Sequence, residues 1–422
     1  MEGMTEISAD TLRRLYPRVL AKTFGYTRSL PEAEDAVQEA VARALQVWPH
    51  DGPPDAPEAW LLSVAQNAFR DRMRRRARED LREDALEALA EMSPWVRIAV
   101  GEPEVVRGWK DELLRLLFAC CHPALEVGES AALALSTIVG LSTKEIAAAF
   151  VVTPRTMEQR LTRARQRLRE RGDPEGAAPE RSRDRLDAVL QTIALLFNEG
   201  YWSTDDEAPI RAELCRLAIG LAHSLAGTFP AEPEAHGLVA LLRLHDARRG
   251  GRFDPGGAPV PLPKQDRTRW DHDAIAEGTA LLDRALAFGR PGPFQIEAAI
   301  SAVHCRARTA DATDWGEIAA LYEALERFRP TPAVRVNRAF AVGRAHGPGA
   351  GLALLDDPGG PDVRGYPYVH LVRGSLLEEL GRTREARDSL ALAREHARNA
   401  AERAQIEARI ATLEGSRTGG ER

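Results

Sequence analysis

The sequence predicts an all-α protein: two small helical domains, the second with a helix-turn-helix, followed by a C-terminal tetratricopeptide-like helical-repeat domain. Three observations carry this prediction. Alanine, leucine, arginine and glutamate are abundant, while β-branched and aromatic residues are sparse, a bias toward helix. Apolar residues recur at three- and four-residue spacing through most segments. Clusters of proline and glycine separate those segments.

The bulk properties bound the function. A length of 422 residues corresponds to about three domains. With 44% hydrophobic and 28% charged residues, the composition excludes wholesale disorder. "MEGMTEISAD" lacks the basic-then-apolar layout of a signal peptide, and "AALALSTIVGL" is too short to span a bilayer. Four cysteines do not make a disulfide framework in a chain this long. A reducing cytoplasm is the expected compartment, without membrane contact and without a cofactor.

Taken in order, residues 8–78 form the first expected domain. "PEAEDAVQEAVARALQVW" places Pro31 in its first turn, followed by Glu32, Glu34 and Asp35, which suit the positive end of a helix dipole. Ala33, Val37, Ala40, Val41, Ala44 and Leu45 form its apolar stripe. "PHDGPPDAP" breaks the pattern. "PEAWLLSVAQNAFRDRMRRRARED" follows, with an apolar face at Trp60, Leu61, Val64, Ala65, Ala68 and Phe69 and a strongly basic far end. Residues 79–110 read as a charged linker, 111–171 as the second domain, 172–183 as another linker and 184–414 as the C-terminal domain.

In the C-terminal domain, Pro/Gly breaks fall near 230, 250–263, 290, 330, 347 and 358–367. "YVHLVRGSLLEELGRTREARDSLALAREHA" has the layout of a tetratricopeptide-like unit. Its first helix ends at Leu380–Gly381, and its second carries Ala386, Leu390 and Ala393. "AVRVNRAFAVGRAHGPGAGLALLDD" is a weaker copy. Such units stack and leave a concave face for a partner; a plain helical bundle is the other reading.

"LSTKEIAAAFVVTPRTMEQRLTRARQRLRE" fits a helix-turn-helix. Ser142 and Glu145 make a capping box. Ile146, Ala147 and Phe150 line one face, and Val151 and Val152 fill a turn that lacks the glycine often found there. Thr153 caps the second helix, and Pro154 starts it. Met157, Leu161, Ala164 and Leu168 form its inner stripe. Arg155, Thr156, Glu158, Gln159, Arg160 and Arg163 then face outward, where a recognition helix meets base edges. Arg165, Arg167 and Arg169 are expected on phosphates.

A second basic cluster comprises Arg70, Arg72, Arg74, Arg75, Arg76, Arg78 and Arg82. Close to Trp60, it suits phosphate binding with base stacking, although basic residues also complement a helix end. Cys120, Cys121 and His122 read as two small buried thiols ending a helix rather than a metal or redox site. No triad, phosphate loop or metal-ligand spacing stands out, so an enzyme is not expected.

These units, in this order, resemble the extracytoplasmic-function (ECF) sigma factors of bacterial RNA polymerase, a branch of the sigma-70 family. "AEDAVQEAVARAL" resembles region 2.2, "PEAWLLSVAQNAFRDRMRRR" regions 2.3 to 2.4, and the helix-turn-helix region 4.2. "FACCHPAL", "LFNEGYW", "LLRLHDARRGGRFD", "KQDRTRWD" and "ATDWGEIAALYEAL" resemble the subgroup with a tetratricopeptide-like extension. The resemblance implies that Asp35, Gln38 and Glu39 dock on the β′ clamp helices and that region 4 meets the β flap. It implies that Asn67, Asp71, Arg72, Arg74, Arg75 and Arg76 face the −10 element, and that the loop from His50 to Pro57 helps hold an unpaired base. The helix from Thr153, including Arg165 and Arg167, is implied to bind the −35 element. The alternative is a helix-turn-helix regulator with a ligand-sensing helical domain.

The extension carries a polar cluster around a long Pro/Gly-rich connection: His245, Asp246, Arg248, Arg249, Lys264, Gln265, Asp266, Arg267 and Trp270. It reads either as a regulatory site or as an ion-pair network tying the connection down. Asn198 and Glu199 suit a helix end, and Asp205, Asp206 and Glu207 a helix cap. The short linker at 172–183 predicts contact between the C-terminal domain and the sigma core.

Overall fold

The computed structural model describes residues 2–79, 112–150, 152–171, 183–201, 211–254, 260–366, 368–397 and 400–418. Helices dominate, and no strand occurs among the described residues. The chain divides into two compact units, Met1–Glu199 and Gly200–Arg422.

The first unit opens with α1 (Glu2–Thr27), α2 (Leu30–Asp51) and α3 (Pro57–Glu79), which pack on one another. Leu30, Ala33, Ala36, Val37, Ala40, Ala44 and Trp48 bury the inner face of α2. Leu45 departs from the expected stripe and is 49% exposed, because the buried face runs through Leu30, Glu34, Val37 and Ala44 instead. Trp48 meets Trp60 at 5.7 Å, and Tyr26 meets Phe69 edge-on at 5.6 Å, fixing α3 against its neighbours.

The unit continues with α4 (Glu112–Cys120), α5 (Val127–Ala134), α6 (Thr143–Ala149), α7 (Pro154–Arg171) and the start of α8 (Leu186–Tyr201). A π-helical turn, Leu135–Val139, prolongs α5 and ends at Gly140 with φ 75°. The capping box is present: Ser142 Oγ accepts from the Glu145 amide, and the Ser142 amide donates to Glu145 Oε2 at 2.7 Å. Thr153 Oγ1 accepts from the Thr156 amide at 3.2 Å. Val151 lies outside the described residues. The Cys120 and Cys121 thiols are buried and free. Burial pushes the Cys121 thiol up to about 12, against a hydrogen-bond contact with Thr192 Oγ1 at 3.4 Å. Thr192 lies on α8, so the helix that the sequence assigns to the C-terminal domain packs beside α4 in the first unit.

The second unit is a run of helices in which each packs on the next: α9 (Ala212–Thr228), α10 (Pro233–Asp246), α11 (His272–Leu286), α12 (Pro293–Arg306), α13 (Trp315–Phe328), α14 (Pro332–His346), α15 (Pro348–Asp356), α16 (Tyr368–Glu379), α17 (Thr383–Glu395) and α18 (Ala400–Thr418). Proline in the first turn starts α10, α12, α14 and α15. Asp271, Asp314 and Thr331 cap α11, α13 and α14 through their side chains. The α16–α17 hairpin turns at Gly381, φ 72°, and buries Ala386, Leu390 and Ala393 as the repeat layout requires.

Close helix crossings depend on glycine. A Cβ at Gly351 would lie 2.6 Å from the Ala339 carbonyl and 3.0 Å from Gly343 Cα, both backbone atoms that cannot yield cheaply. Gly351→Ala is therefore expected to cost about 1–3 kcal/mol, measured as a lower denaturation midpoint of the full chain.

Candidate nucleic-acid and polymerase interface

Helix α7, the second helix of the helix-turn-helix, shows two faces. Met157, Leu161, Ala164 and Leu168 are buried. Arg155, Glu158, Gln159, Arg160 and Arg163 are exposed, and Thr156 is half-buried, with its hydroxyl 2.8 Å from that of Thr153. The first turns of the helix thus present guanidinium, carboxamide and carboxylate groups to solvent, the groups suited to base edges.

In the second half of α7, Arg165, Arg167 and Arg169, which the sequence leads one to expect on phosphates, are held in ion pairs with acids. Arg165 turns inward onto α2 and makes a two-pronged ion pair with Glu34: Nε to Oε2 at 2.9 Å and Nη2 to Oε1 at 3.1 Å. Glu34 is 4% exposed and Arg165 27%. The π turn completes the site. Ser136 Oγ accepts from Arg165 at 3.2 Å, and Thr137 Oγ1 donates to Glu34 at 3.3 Å. Burial, and then the Glu34 charge, push the Tyr16 hydroxyl up, so it stays protonated beside the pair. Arg167 pairs with Glu129 at 2.6 Å, and Arg169 with Asp35 at 3.2 Å.

The expected −10 and polymerase residues meet on the α2–α3 face. Arg72 lies among three acids of α2: Asp35 at 3.3 Å, Glu32 at 3.5 Å and Glu39 at 3.5 Å. Asp35 therefore holds cations from both α3 and α7. Gln38 and Glu39 are exposed on α2, as are Asn67, Asp71, Arg74 and Arg75 on α3. Arg70 donates to Tyr26, and Arg74 pairs with Asp71 at 3.6 Å. The side chains of Arg76 and Arg78, and all of Arg82, lie outside the described residues.

The buried role of Glu34 was missed in the sequence, although a signal for it exists. Glu34 occupies a stripe position between Leu30 and Val37, and Arg165 one between Leu161 and Leu168. A charge on each of two apolar stripes is what a buried pair between them produces.

In the second unit the polar cluster is partly architectural. Arg267 donates to the His304 and Ala307 carbonyls, each at 2.6 Å, and to Thr313 Oγ1, so it caps the end of α12. Asp266 caps the short turn at Thr268, and Gln265 donates to the Val260 carbonyl. The connection closes where the Asp271 amide donates to the Ala247 carbonyl at 2.9 Å. Trp270 is buried with Gly251 against its indole. Lys264 is exposed. Asp205, Asp206 and Glu207 lie outside the described residues.

Fold and site thus define an all-helical protein with a helix-turn-helix whose second helix presents a polar, largely basic face. Comparison with known proteins gives the family. Residues 11–79 match Sigma-70 region 2, residues 115–168 match Sigma-70 region 4, and residues 185–286 match DUF6596, a family of unknown function. An uncharacterized protein of Rhizobium meliloti is 44% identical over 92% of this chain and 92% of its own length. The ECF RNA polymerase sigma factor SigE of Mycolicibacterium smegmatis is 30% identical over 38% of this chain and 60% of that protein. No solved structure matches. The chain belongs to the ECF-type sigma factors of the sigma-70 family, with a DUF6596 domain in its C-terminal extension. Sigma factors are DNA-binding regulators of transcription initiation. Among the described residues no helix is long and apolar enough to cross a membrane.

Removing one partner of a buried pair strands the other charge. Glu34→Ala is expected to cost about 3–5 kcal/mol in urea unfolding, while Glu34→Met with Arg165→Met stays within about 1–2 kcal/mol of the parent.

The histidines of the second unit give a pH dependence. Burial, then Arg248 and Arg267, push His304 down to about 4. An unfolded imidazole titrates near pH 6.5, so between these values the unfolded chain binds a proton that the folded ring refuses. Stability is thus full above about pH 6.5 and falls as pH drops toward 4, by up to ~3 kcal/mol from this residue. Melting temperature in phosphate-free buffer is expected to fall from pH 7 to 4.5, and less steeply in His304→Gln.

Proposed function

We propose that this chain binds core RNA polymerase, recognises the −35 and −10 promoter elements and directs initiation, with its C-terminal domain as a fused regulatory or interaction module. The observation that carries this reading is the presence, in one chain, of sigma regions 2 and 4 with the first turns of the recognition helix exposed. Arg155, Thr156, Glu158, Gln159, Arg160 and Arg163 read the −35 element. Asn67, Asp71, Arg74 and Arg75, with Arg72 and Arg76, face the −10 element. Asp35, Gln38 and Glu39 meet the β′ clamp helices, and region 4 meets the β flap. Polymerase supplies the catalysis. The sigma factor contributes differential binding, holding the opened promoter more tightly than the duplex.

The ion pairs of α7 give this reading a condition. Arg165, Arg167 and Arg169 are held by Glu34, Glu129 and Asp35, so phosphate contact by them requires release of those acids. Asp35 reaches polymerase only when it gives up Arg169 and Arg72. The arrangement described here is accordingly a resting form, and engagement separates α7 from α2. Contact between the C-terminal domain and the sigma core is part of the same proposal, and so are the domain limits 8–78, 111–171 and 184–414.

Transcription from a cognate promoter by core polymerase plus the full chain tests the reading. Arg160→Ala is expected to lower promoter-complex formation by about 5- to 150-fold. Arg74→Ala with Arg75→Ala is expected to abolish open-complex formation while region 4 still binds −35 duplex. Failure of the full chain to bind core polymerase would sink the proposal. A −10 double variant that initiates normally would favour the regulator that works without region 2.

A further inference from the structure

We propose that the groove formed by α9, α10 and α11 is a binding site for a small aromatic carboxylate. The groove holds a cavity of about 690 Å³, a size at which small-molecule sites occur. Buried Ala226, Val239 and Leu281, one from each helix, line its inner side. Phe288, 40% exposed, stands at its edge just past the end of α11. Apart from Ala287 and Phe288, the lining residues fall within the stretch that matches DUF6596, residues 185–286.

One wall of the groove is aromatic. The His236 ring lies 5.7 Å from that of Phe288 at an interplanar angle of 18°, the near-parallel, offset arrangement that aromatic pairs favour. His236 Nε2 donates to the Pro230 carbonyl at 2.9 Å, which holds the ring in place. A flat ring system can extend that stack, whereas an aliphatic chain gains only buried area from it. The polar groups of the groove are all nitrogen donors or imidazoles. His223 and Arg284 are exposed and line it together, and no carboxylate is among its described lining residues. Arg284 has no ion pair among the described residues. Glu277, the acid whose field reaches His223, is taken by Arg243. A guanidinium without a protein partner, sharing a groove with an imidazole, is matched by a carboxylate.

Gly227 keeps the groove open. It lies in the last turn of α9, lines the groove and is exposed. Its φ is not positive, and a Cβ built on it would meet no atom within 4 Å. Neither backbone conformation nor helix packing therefore requires glycine here, in contrast to Gly351. Glycine in a helix is less stable than alanine, and what the missing side chain provides at this position is space in the groove. The inference is independent of the polymerase reading, because the binding is measured on the free chain.

The test titrates the full chain at pH 7 with 2-naphthoate by isothermal calorimetry, with the neutral analogue 2-naphthylmethanol and with decanoate as comparisons. 2-Naphthoate is expected to bind once per chain. Arg284→Gln is expected to weaken that binding by about 10- to 150-fold. Gly227→Leu fills the groove from a position where nothing opposes a side chain, and is expected to abolish binding while melting no lower than the parent. Absence of saturable 2-naphthoate binding by the parent overturns the proposal. So does a Gly227→Leu protein that binds as the parent does, and so does 2-naphthylmethanol binding as tightly as the acid. Decanoate binding more tightly than 2-naphthoate assigns the groove to aliphatic acids and overturns the aromatic reading. A parent that is dimeric by sedimentation equilibrium, and monomeric as Gly227→Leu, gives the groove to a second copy and overturns the proposal as well.

Discussion

The first unit depends on the ion pair between Glu34 and Arg165. Burying either charge alone would oppose folding, so each fixes the position of the other. The two-pronged geometry sets direction as well as distance, and the Ser136 and Thr137 hydroxyls satisfy oxygen and nitrogen positions that would otherwise be stranded. Those hydroxyls sit on a π-helical turn. A regular α-helix would present a different phase there, and π turns are recurrent at sites that must re-aim a side chain. The pair therefore constrains α2, the π turn and α7 at once.

Around this pair the same helices share a chain of softer contacts. Asp35 is held by Arg169 and Arg72, and Arg72 is shared by Glu32 and Glu39. These groups are partly exposed, so each contact is weak and screened by salt. The buried pair gives the arrangement its persistence, and the surface pairs give it a means of exchange. In the proposed function, DNA phosphates would compete for the arginines with the same chemistry that the carboxylates use. A partner presenting cations to α2 would compete for the acids. The two competitions reinforce one another, because losing one side of a pair frees the other. Under the proposed function, such a surface would respond to the joint presence of polymerase and promoter more steeply than to either alone.

Much of the fold was legible in the sequence. Capping by Ser142 and Thr153 and the stripe Met157, Leu161, Ala164 and Leu168 follow from local rules that tertiary packing did not override. The breaks in the C-terminal domain were legible because proline and glycine act locally. The inner half of α7 was not. Helical spacing tells which residues share a face, but the partner covering that face belongs to another part of the chain. Arg165 and Arg163 are both arginines on one helix, and only the presence of α2 makes one inward and the other outward. Leu45 shows the converse: an apolar residue at the edge of a stripe lies in solvent, while the core accepts Glu34 instead.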